Sequence, residues 1–187
     1  MDPRRFVLAC AGKPFAVSSD IAFGVAALDD SGLATYLEAH EAGSRAAEGM
    51  AKRLVGGNAV ESAAKAVLRT FIVEIRIERA HLTSLLERLE RDESFMHRGF
   101  QAASLVADMA GKVAAMATPK PFSELEALAV GVWGKRLMWG ALNELSVIDE
   151  RIADLPLDAL TEQAERQEVE LLRLRSEAVL SSLTARP

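Results

Sequence analysis

Residues 59–90 constrain the fold most, because their apolar side chains recur at three- and four-residue spacing and only Glu78 interrupts them. This spacing places the apolar positions on one face of an α-helix. Such a helix would be about 48 Å long at 1.5 Å per residue, which is long for a globular protein and typical of a helical bundle. The stripe consists of Leu68, Phe71, Ile75, Glu78, Leu82, Leu85 and Leu89.

Cap and stop residues delimit another helix before this one. Ser31 can accept hydrogen bonds from the free amides at the start of a helix that continues through Leu54. The Gly-Gly-Asn cluster at 56–58 then supplies a stop and the cap of the next helix. Residues 1–30 show no sustained periodicity, so we expect an N-terminal arm that is loose or packed on the remaining domain, residues 31–187.

Three further segments follow in the second half of the chain. Residues 94–117 are rich in Ala, Met and Phe and end at a pair of prolines. The sequence Ser-Glu-Leu-Glu at 123–126 has the form of a capping box, which predicts a helix over 123–152. The stretch 154–156 ends in proline and predicts a break before a last helix that continues to Leu183.

The composition favours helices over sheet. Half of the chain is hydrophobic but only 5% is aromatic, and stretches in which β-branched and polar residues alternate are missing. A chain of 187 residues normally forms one domain. We therefore predict an all-α, up-down antiparallel four-helix bundle, with residues 94–117 as an inserted middle helical segment.

Charge and cysteine content argue against several classes of partner. The formal net charge is −5, and 22 basic and 27 acidic residues are interspersed instead of forming a basic stripe, so we expect no nucleic-acid binding. The single cysteine, Cys10, allows no intramolecular disulfide and suits a reducing compartment. The apolar runs near the N-terminus are too short for a signal sequence or a membrane span. We expect a cytoplasmic protein without a membrane partner.

Two other helices carry comparable apolar stripes, each interrupted by a polar residue. The interruption is His40 in the first helix and Gln167 in the last. The first stripe comprises Tyr36, His40, Gly43, Ala47, Met50 and Leu54. The last stripe comprises Leu157, Leu160, Ala164, Gln167, Leu171, Leu174 and Ala178.

Each long helix thus has a polar or ionisable residue about halfway along its apolar face. If antiparallel packing brings these residues to a similar depth, they form a buried polar layer. The members of this predicted layer are His40, Glu78, His81, Lys135 and Gln167.

Glu78 is the member that most needs a partner. Burial of an unpaired charge costs several kcal/mol, so Glu78 must be paired, protonated, metal-bound or less buried than its spacing suggests. We expect protein donors to satisfy it. The candidates are His40 or His81 on neighbouring turns and Lys135 or Arg136 across the bundle.

An alternative interpretation is a di-metal site that binds iron or manganese. Glu78 and His81 form a Glu-x-x-His pair, the spacing with which helical bundles bind two metal ions, and Glu74 lies on the same side of the helix. His40 and Glu168 would complete the ligand set. Such sites normally use two Glu-x-x-His pairs, whereas only one is present here, so we expect no metal cofactor.

Two tryptophans lie among glycines in the helix that follows the prolines. Trp133 and Trp139 alternate with Gly131, Gly134 and Gly140. This pattern predicts a place where helices approach closely over small residues.

Two blocks of the sequence resemble the signature of a known family. They are Tyr36-Leu-Glu-Ala-His40 with Gly43, and Glu126-Ala-Leu-Ala-Val-Gly-Val-Trp-Gly-Lys135. The resemblance is to an uncharacterised bacterial family of helical proteins with a ferritin-like bundle. It departs from the family at Glu38 and Ala39, where Asn-Asp is usual. Because the function of that family is unknown, the resemblance implies a ferritin-like fold and no particular chemistry.

The function that these observations favour is a non-catalytic scaffold or protein-interaction module. An apolar helix face could support a homodimer or bind another protein. The alternative from a different class is a ferritin-like di-metal oxidoreductase or metal-binding protein that uses Glu78, His81 and His40.

Overall fold

The structure, a computed structural model, describes residues 28–92 and 121–183. These residues form five α-helices and no strand, which confirms the all-α class. The helices are α1 (Asp30–Gly56), α2 (Ser62–Asp92), α3 (Phe122–Leu145), α4 (Glu150–Ala153) and α5 (Leu157–Leu183). Residues 1–27 of the expected arm, with Cys10, and the expected segment at 94–117 lie outside the described residues.

The first helix begins earlier than expected, because its cap is Asp29 and not Ser31. The Asp29 carboxylate accepts a hydrogen bond from the Gly32 amide at 3.0 Å. The helix ends at Gly56, within the predicted glycine cluster, and the second helix begins at Ser62 instead of residue 59. The predicted stop of the first helix is therefore confirmed. The predicted cap residues of the first and second helices are wrong.

The capping-box prediction at the start of α3 is wrong. The N-cap position is Pro121, and no side chain caps the helix. Ser123 is a buried residue of the first turn. Glu126 accepts a hydrogen bond from Arg175 Nη2 of α5 at 2.9 Å. Tertiary packing of Ser123 and an ion pair of Glu126 to another helix have overridden the local capping signal.

The predicted break at 154–156 is confirmed, but the helix before it ends at Leu145 instead of residue 152. Asp149 starts the one-turn helix α4 by accepting a hydrogen bond from the Arg151 amide at 2.9 Å. The Arg151 guanidinium also donates to Asp30, with Nη2 and Oδ1 2.7 Å apart. This ion pair joins the connection between α3 and α5 to the beginning of α1.

The four long helices pack as two close pairs, α1 on α2 and α3 on α5, which also contact each other through α1 with α3 and through α2 with α5. All seven predicted stripe positions of α2 are buried, and so are all seven of α5. The apolar core lies between these stripes and the inner faces of α1 and α3. Each helix within residues 28–92 and 121–183 is too short or too polar to span a lipid bilayer.

The predicted stripe of α1 is confirmed only in part, because Leu54 is buried and Ala47 and Met50 pack against the core while the earlier positions do not. Tyr36 is 40% exposed, and His40 is only partly buried. The buried residues are Leu33, Ala34, Leu37, Glu48, Ala51 and Leu54. Small residues between positions 42 and 51 make several faces of this helix similarly apolar, so periodicity alone does not select the buried one.

Candidate functional site

Glu78 lies in the middle of the α2 stripe and is 2% exposed. Three side chains donate to its carboxylate. The Lys135 ammonium of α3 lies 2.5 Å from Oε2, and Gln163 Nε2 of α5 lies 2.5 Å from Oε1. Gln167 Nε2, one turn later in α5, lies 3.0 Å from Oε1. The buried carboxylate is therefore satisfied by an ion pair and two amide hydrogen bonds.

Gln167 connects the members of this network. Its side-chain nitrogen also donates to Glu74 Oε2 at 2.8 Å, and its side-chain oxygen accepts a hydrogen bond from Lys135. Gln167 thus uses both ends of its amide, which fixes the amide orientation. We call Glu74, Glu78, Lys135, Gln163 and Gln167 the polar network.

Helical spacing explains why five side chains converge from three helices. Glu74 and Glu78 are four residues apart in α2, as Gln163 and Gln167 are in α5, so each pair extends from one helix face. Lys135 lies on the inner face of α3, in the turn between buried Val132 and Met138. The apolar stripes that bury the three helices therefore bring these polar groups together.

Burial dominates the electrostatics of Lys135. It lowers the pKa of the ammonium group, while the carboxylates of Glu78 and Glu74 act in the opposite direction. The ammonium also lies 5.9 Å from the centre of the Phe71 ring, within the range of a cation–π interaction. Two carboxylates surround one ammonium, and each has a hydrogen-bond donor in the network.

The structure brings together three members of the predicted layer, namely Glu78, Lys135 and Gln167. Neither His40 nor His81 makes a hydrogen bond to them. The His40 ring packs edge-on against Tyr36, with centroids 4.8 Å apart, and burial lowers the pKa of its imidazole.

Sequence reasoning missed Gln163 as a member of the network. A signal was available, because Gln163 precedes Gln167 by one helical turn and occupies the same face.

Of the residues of the di-metal alternative, the structure brings together Glu74 and Glu78, both of which accept hydrogen bonds from Gln167. No group of three or more His, Cys, Asp or Glu side chains in residues 28–92 and 121–183 has the arrangement of a metal site. Glu74 and Glu78 face the amides and the ammonium of the polar network. Glu168 instead forms an ion pair with Arg136 Nη1 at 2.9 Å.

A second carboxylate cluster lies between α1 and α2 and was not predicted. Glu48 of α1 is 8% exposed and binds three basic side chains. Lys52 Nζ lies 2.7 Å from Oε1, Arg76 Nη2 also 2.7 Å from Oε1, and Arg79 Nη2 2.5 Å from Oε2. Hydrogen bonds from Lys52, Arg79 and Arg76 lower the pKa of Glu48 from 4.5 to about 2.

A crevice of about 190 Å³ between α2 and α5 reaches the polar network at Glu74 and Gln167. Its other lining residues are Val67, Thr70, Phe71, Arg166, Glu170 and Leu171. Pockets for metabolites usually measure about 300–1,000 Å³, so the crevice suits water better than a substrate.

The outer surface of α3 and α5 carries large apolar side chains that are exposed. On α3 these are Val130, Trp133 and Leu137, which are 58%, 50% and 51% exposed. On α5 they are Val169 and Leu172, at 66% and 45%.

The expectation of a close helix approach among the α3 glycines is wrong within the described residues. A Cβ atom at Gly131, Gly134 or Gly140 would meet nothing within 4 Å. Trp139 is fully buried, whereas Trp133 points outward.

Comparison with known proteins identified no relative of the chain. No protein-family model matches the chain, and searches of curated proteins and of solved structures found no match. The resemblance to a ferritin-like bacterial family therefore stays a prediction.

Proposed function

We propose that this chain is a non-catalytic protein-interaction module. Its binding surface is the α3–α5 face, defined as Val130, Trp133, Leu137, Val169 and Leu172. The observation that carries the proposal is the exposure of these five large apolar side chains on the outer surfaces of two neighbouring helices. Contiguous apolar surface of this kind marks interaction sites in soluble proteins, and tryptophan is enriched among the residues that dominate binding.

Two ion pairs across the helix pair indicate that the five residues are contiguous. Glu126 binds Arg175 toward one end of the face, and Arg136 binds Glu168 toward the other. Since the helices run in opposite directions between these pairs, Trp133 and Val169 lie at the same level. The two ion pairs thus bracket Val130 and Trp133 on α3 and Val169 and Leu172 on α5, and Leu137 follows Arg136 directly.

The polar network supports a structural role and not a catalytic one. Its carboxylates are hydrogen-bonded, its ammonium faces two acceptors, and the crevice that reaches it is small. A reaction centre needs a group that can contact a substrate. The network instead joins α2, α3 and α5 around Glu78.

The architecture that we propose for the module is an up-down antiparallel four-helix bundle of the ferritin-like kind. Contacts between helices support the antiparallel directions. Gln163 reaches Glu78 while Gln167 reaches Glu74, so α2 and α5 run in opposite directions. The single cysteine supports a reducing, cytoplasmic location.

Site-specific photocrosslinking tests the proposed function. A photoreactive amino acid is placed at Trp133 in the full chain, in cells that produce it naturally, and at Arg69 in a control, because Arg69 is exposed on α2. We expect discrete covalent protein adducts at position 133 and none of comparable yield at position 69. Equal yields at the two positions, or no adduct at 133, would contradict an interaction module that uses this face.

A further inference from the structure

We infer that the partner of the α3–α5 face is a second copy of this chain, bound antiparallel about a two-fold axis. This inference rests on the proposed function, because it uses the same face. The axis would lie in the interface, perpendicular to the helices, so that α3 packs on α3 and α5 on α5 of the other copy. Two-fold dimers of this isologous kind are the commonest protein oligomers.

The positions of the apolar residues on α3 agree with such an axis. Val130 and Leu137 are equally distant in sequence from the midpoint between Trp133 and Gly134. An axis at that midpoint places Val130 of one copy against Leu137 of the other, and Trp133 against Gly134. Space is available there, because a Cβ atom on Gly134 would meet nothing within 4 Å.

The same axis also agrees with the positions of residues on α5. The two bracketing ion pairs put Val169 at the level of Trp133. An axis at this level places Val169 against its own copy. Arg173 lies four residues after Val169 and Glu165 four residues before it. The two-fold operation therefore brings Arg173 of one copy to Glu165 of the other, on both sides of the dimer.

The surface around Glu165 has the charge to receive that arginine. It is an open surface on the outer side of α5, formed by Glu162, Glu165, Arg166, Val169 and Glu170, so that three carboxylates accompany one guanidinium. Glu162 and Glu165 are exposed and make no ion pair with the described part of the chain. Arg173 is exposed, and within the described residues it forms ion pairs with Glu170 and Glu177 of its own helix, contacts that are weak at a surface. Charge complementarity thus favours a second copy in this orientation.

The test is sedimentation equilibrium of the full chain over a wide range of concentrations. We expect a monomer–dimer equilibrium. Glu165→Arg places like charges together and should raise the dimer dissociation constant about tenfold or more. The double variant Glu165→Arg/Arg173→Glu exchanges the two charges and should return the dimer dissociation constant to within a few-fold of the wild-type value. Arg69→Glu, a matched charge reversal on α2, should leave the dimer dissociation constant unchanged.

A second variant removes the central apolar side chain of the α3–α5 face and leaves the core residues unchanged. Trp133→Ser should leave the helical circular dichroism unchanged, since Trp133 is half exposed, and should abolish the dimer. A chain that remains monomeric at every concentration would overturn the inference. So would a dimer that Trp133→Ser and Glu165→Arg leave intact.

These outcomes are separable from failure of the proposed function. If the chain is monomeric but the photocrosslinked adduct at position 133 contains a different protein, the interaction module stands and the second copy does not. If position 133 yields no adduct and Trp133→Ser has no effect, both proposals fall together.

Discussion

Glu78 and Glu48 are both buried glutamates with three side-chain donors, yet their surroundings differ. The donors of Glu78 are Lys135, Gln163 and Gln167, and the side chains of both ion-pair partners, Glu78 and Lys135, are nearly inaccessible to solvent. The carboxylate therefore has one cation and two neutral amides, inside apolar stripes.

The donors of Glu48 are all cations that reach solvent. The side chains of Lys52 and Arg76 are 53% and 49% exposed, and Arg79 is 18% exposed. Positive charge is in excess here, and water can replace any one donor. The comparison teaches that the number of donors does not set the cost of losing one. The decisive factor is whether solvent can take the place of the donor that is lost.

The largest effect should come from Lys135→Met. This change keeps most of the side-chain volume but leaves Glu78 buried without a cation, so we expect a loss of about 3–5 kcal/mol in the free energy of unfolding. Urea denaturation measures it. The double variant Lys135→Met/Glu78→Leu should recover much of the loss, because it removes both charges. A single variant as stable as the wild type would show that solvent reaches Glu78.

Glu78→Gln should have a smaller effect. The glutamine keeps the shape of the side chain and an oxygen that accepts from Lys135, and Glu74 still offsets the charge of the ammonium, but the new amide nitrogen faces the donors of Gln163 and Gln167. We expect a loss of about 1–3 kcal/mol by the same measurement. The matched comparison is Gln163→Leu, which removes one neutral donor and leaves the ion pair. It should lower the free energy of unfolding by less than Glu78→Gln does. The opposite order would mean that the amides, and not Lys135, hold Glu78.

Glu48→Gln should lower the free energy of unfolding by less than Glu78→Gln does, about 1 kcal/mol near neutral pH, because the partners of Glu48 are solvated. The effect should depend on acidity. Since the folded-state pKa of Glu48 is lowered from 4.5 to about 2, its stabilising contribution is present above pH 4.5 and is lost as the pH falls toward 2. Denaturation of wild type and variant across this range should therefore converge at low pH. A difference that stays constant down to pH 2 would contradict the lowered pKa.

Salt should produce the smallest effect and should separate the two clusters. Raising the ionic strength from about 0.1 M to 1 M shortens the Debye length from about 10 Å to 3 Å. The cost of Glu48→Gln should fall by a few tenths of a kcal/mol, while that of Lys135→Met should not change. Equal salt dependence of the two variants would show that the clusters are similarly solvated.

Sequence reasoning performed differently on the helices for identifiable reasons. In α2 six of the seven stripe positions are large apolar residues, and in α5 leucines recur along the stripe, so every position chosen by 3-and-4 spacing is buried. In α1 the residues from Ala42 to Ala51 are mostly small, and tertiary contacts choose the face. Two residues of that stretch are buried, Glu48 and Ala51. Glu48 binds Arg76 and Arg79 of α2, which local periodicity does not reveal.

The polar layer was only partly foreseeable. Glu78, Lys135 and Gln167 each interrupt a helix at mid-length, and this common depth predicted that they would meet. His40 shared the same signal but lies in the part of the α1 stripe that does not face the core, beside the exposed Tyr36. The α3–α5 face was missed because the tryptophan and glycine pattern was interpreted as a buried contact, whereas only Trp139 is fully buried.

The polar network also restricts mispairing of the helices. Repeated leucine stripes permit more than one register, because a shift of α2 by one turn, about 5.4 Å, brings apolar residues to similar positions. A shift in one direction would place Leu82 beside Lys135. The opposite shift would place Glu74 there and leave Glu78 among leucines without a donor. Each slipped state loses the direct contact between Glu78 and Lys135, so polar residues separate the native register from its nearest competitors, although leucines supply most of the core.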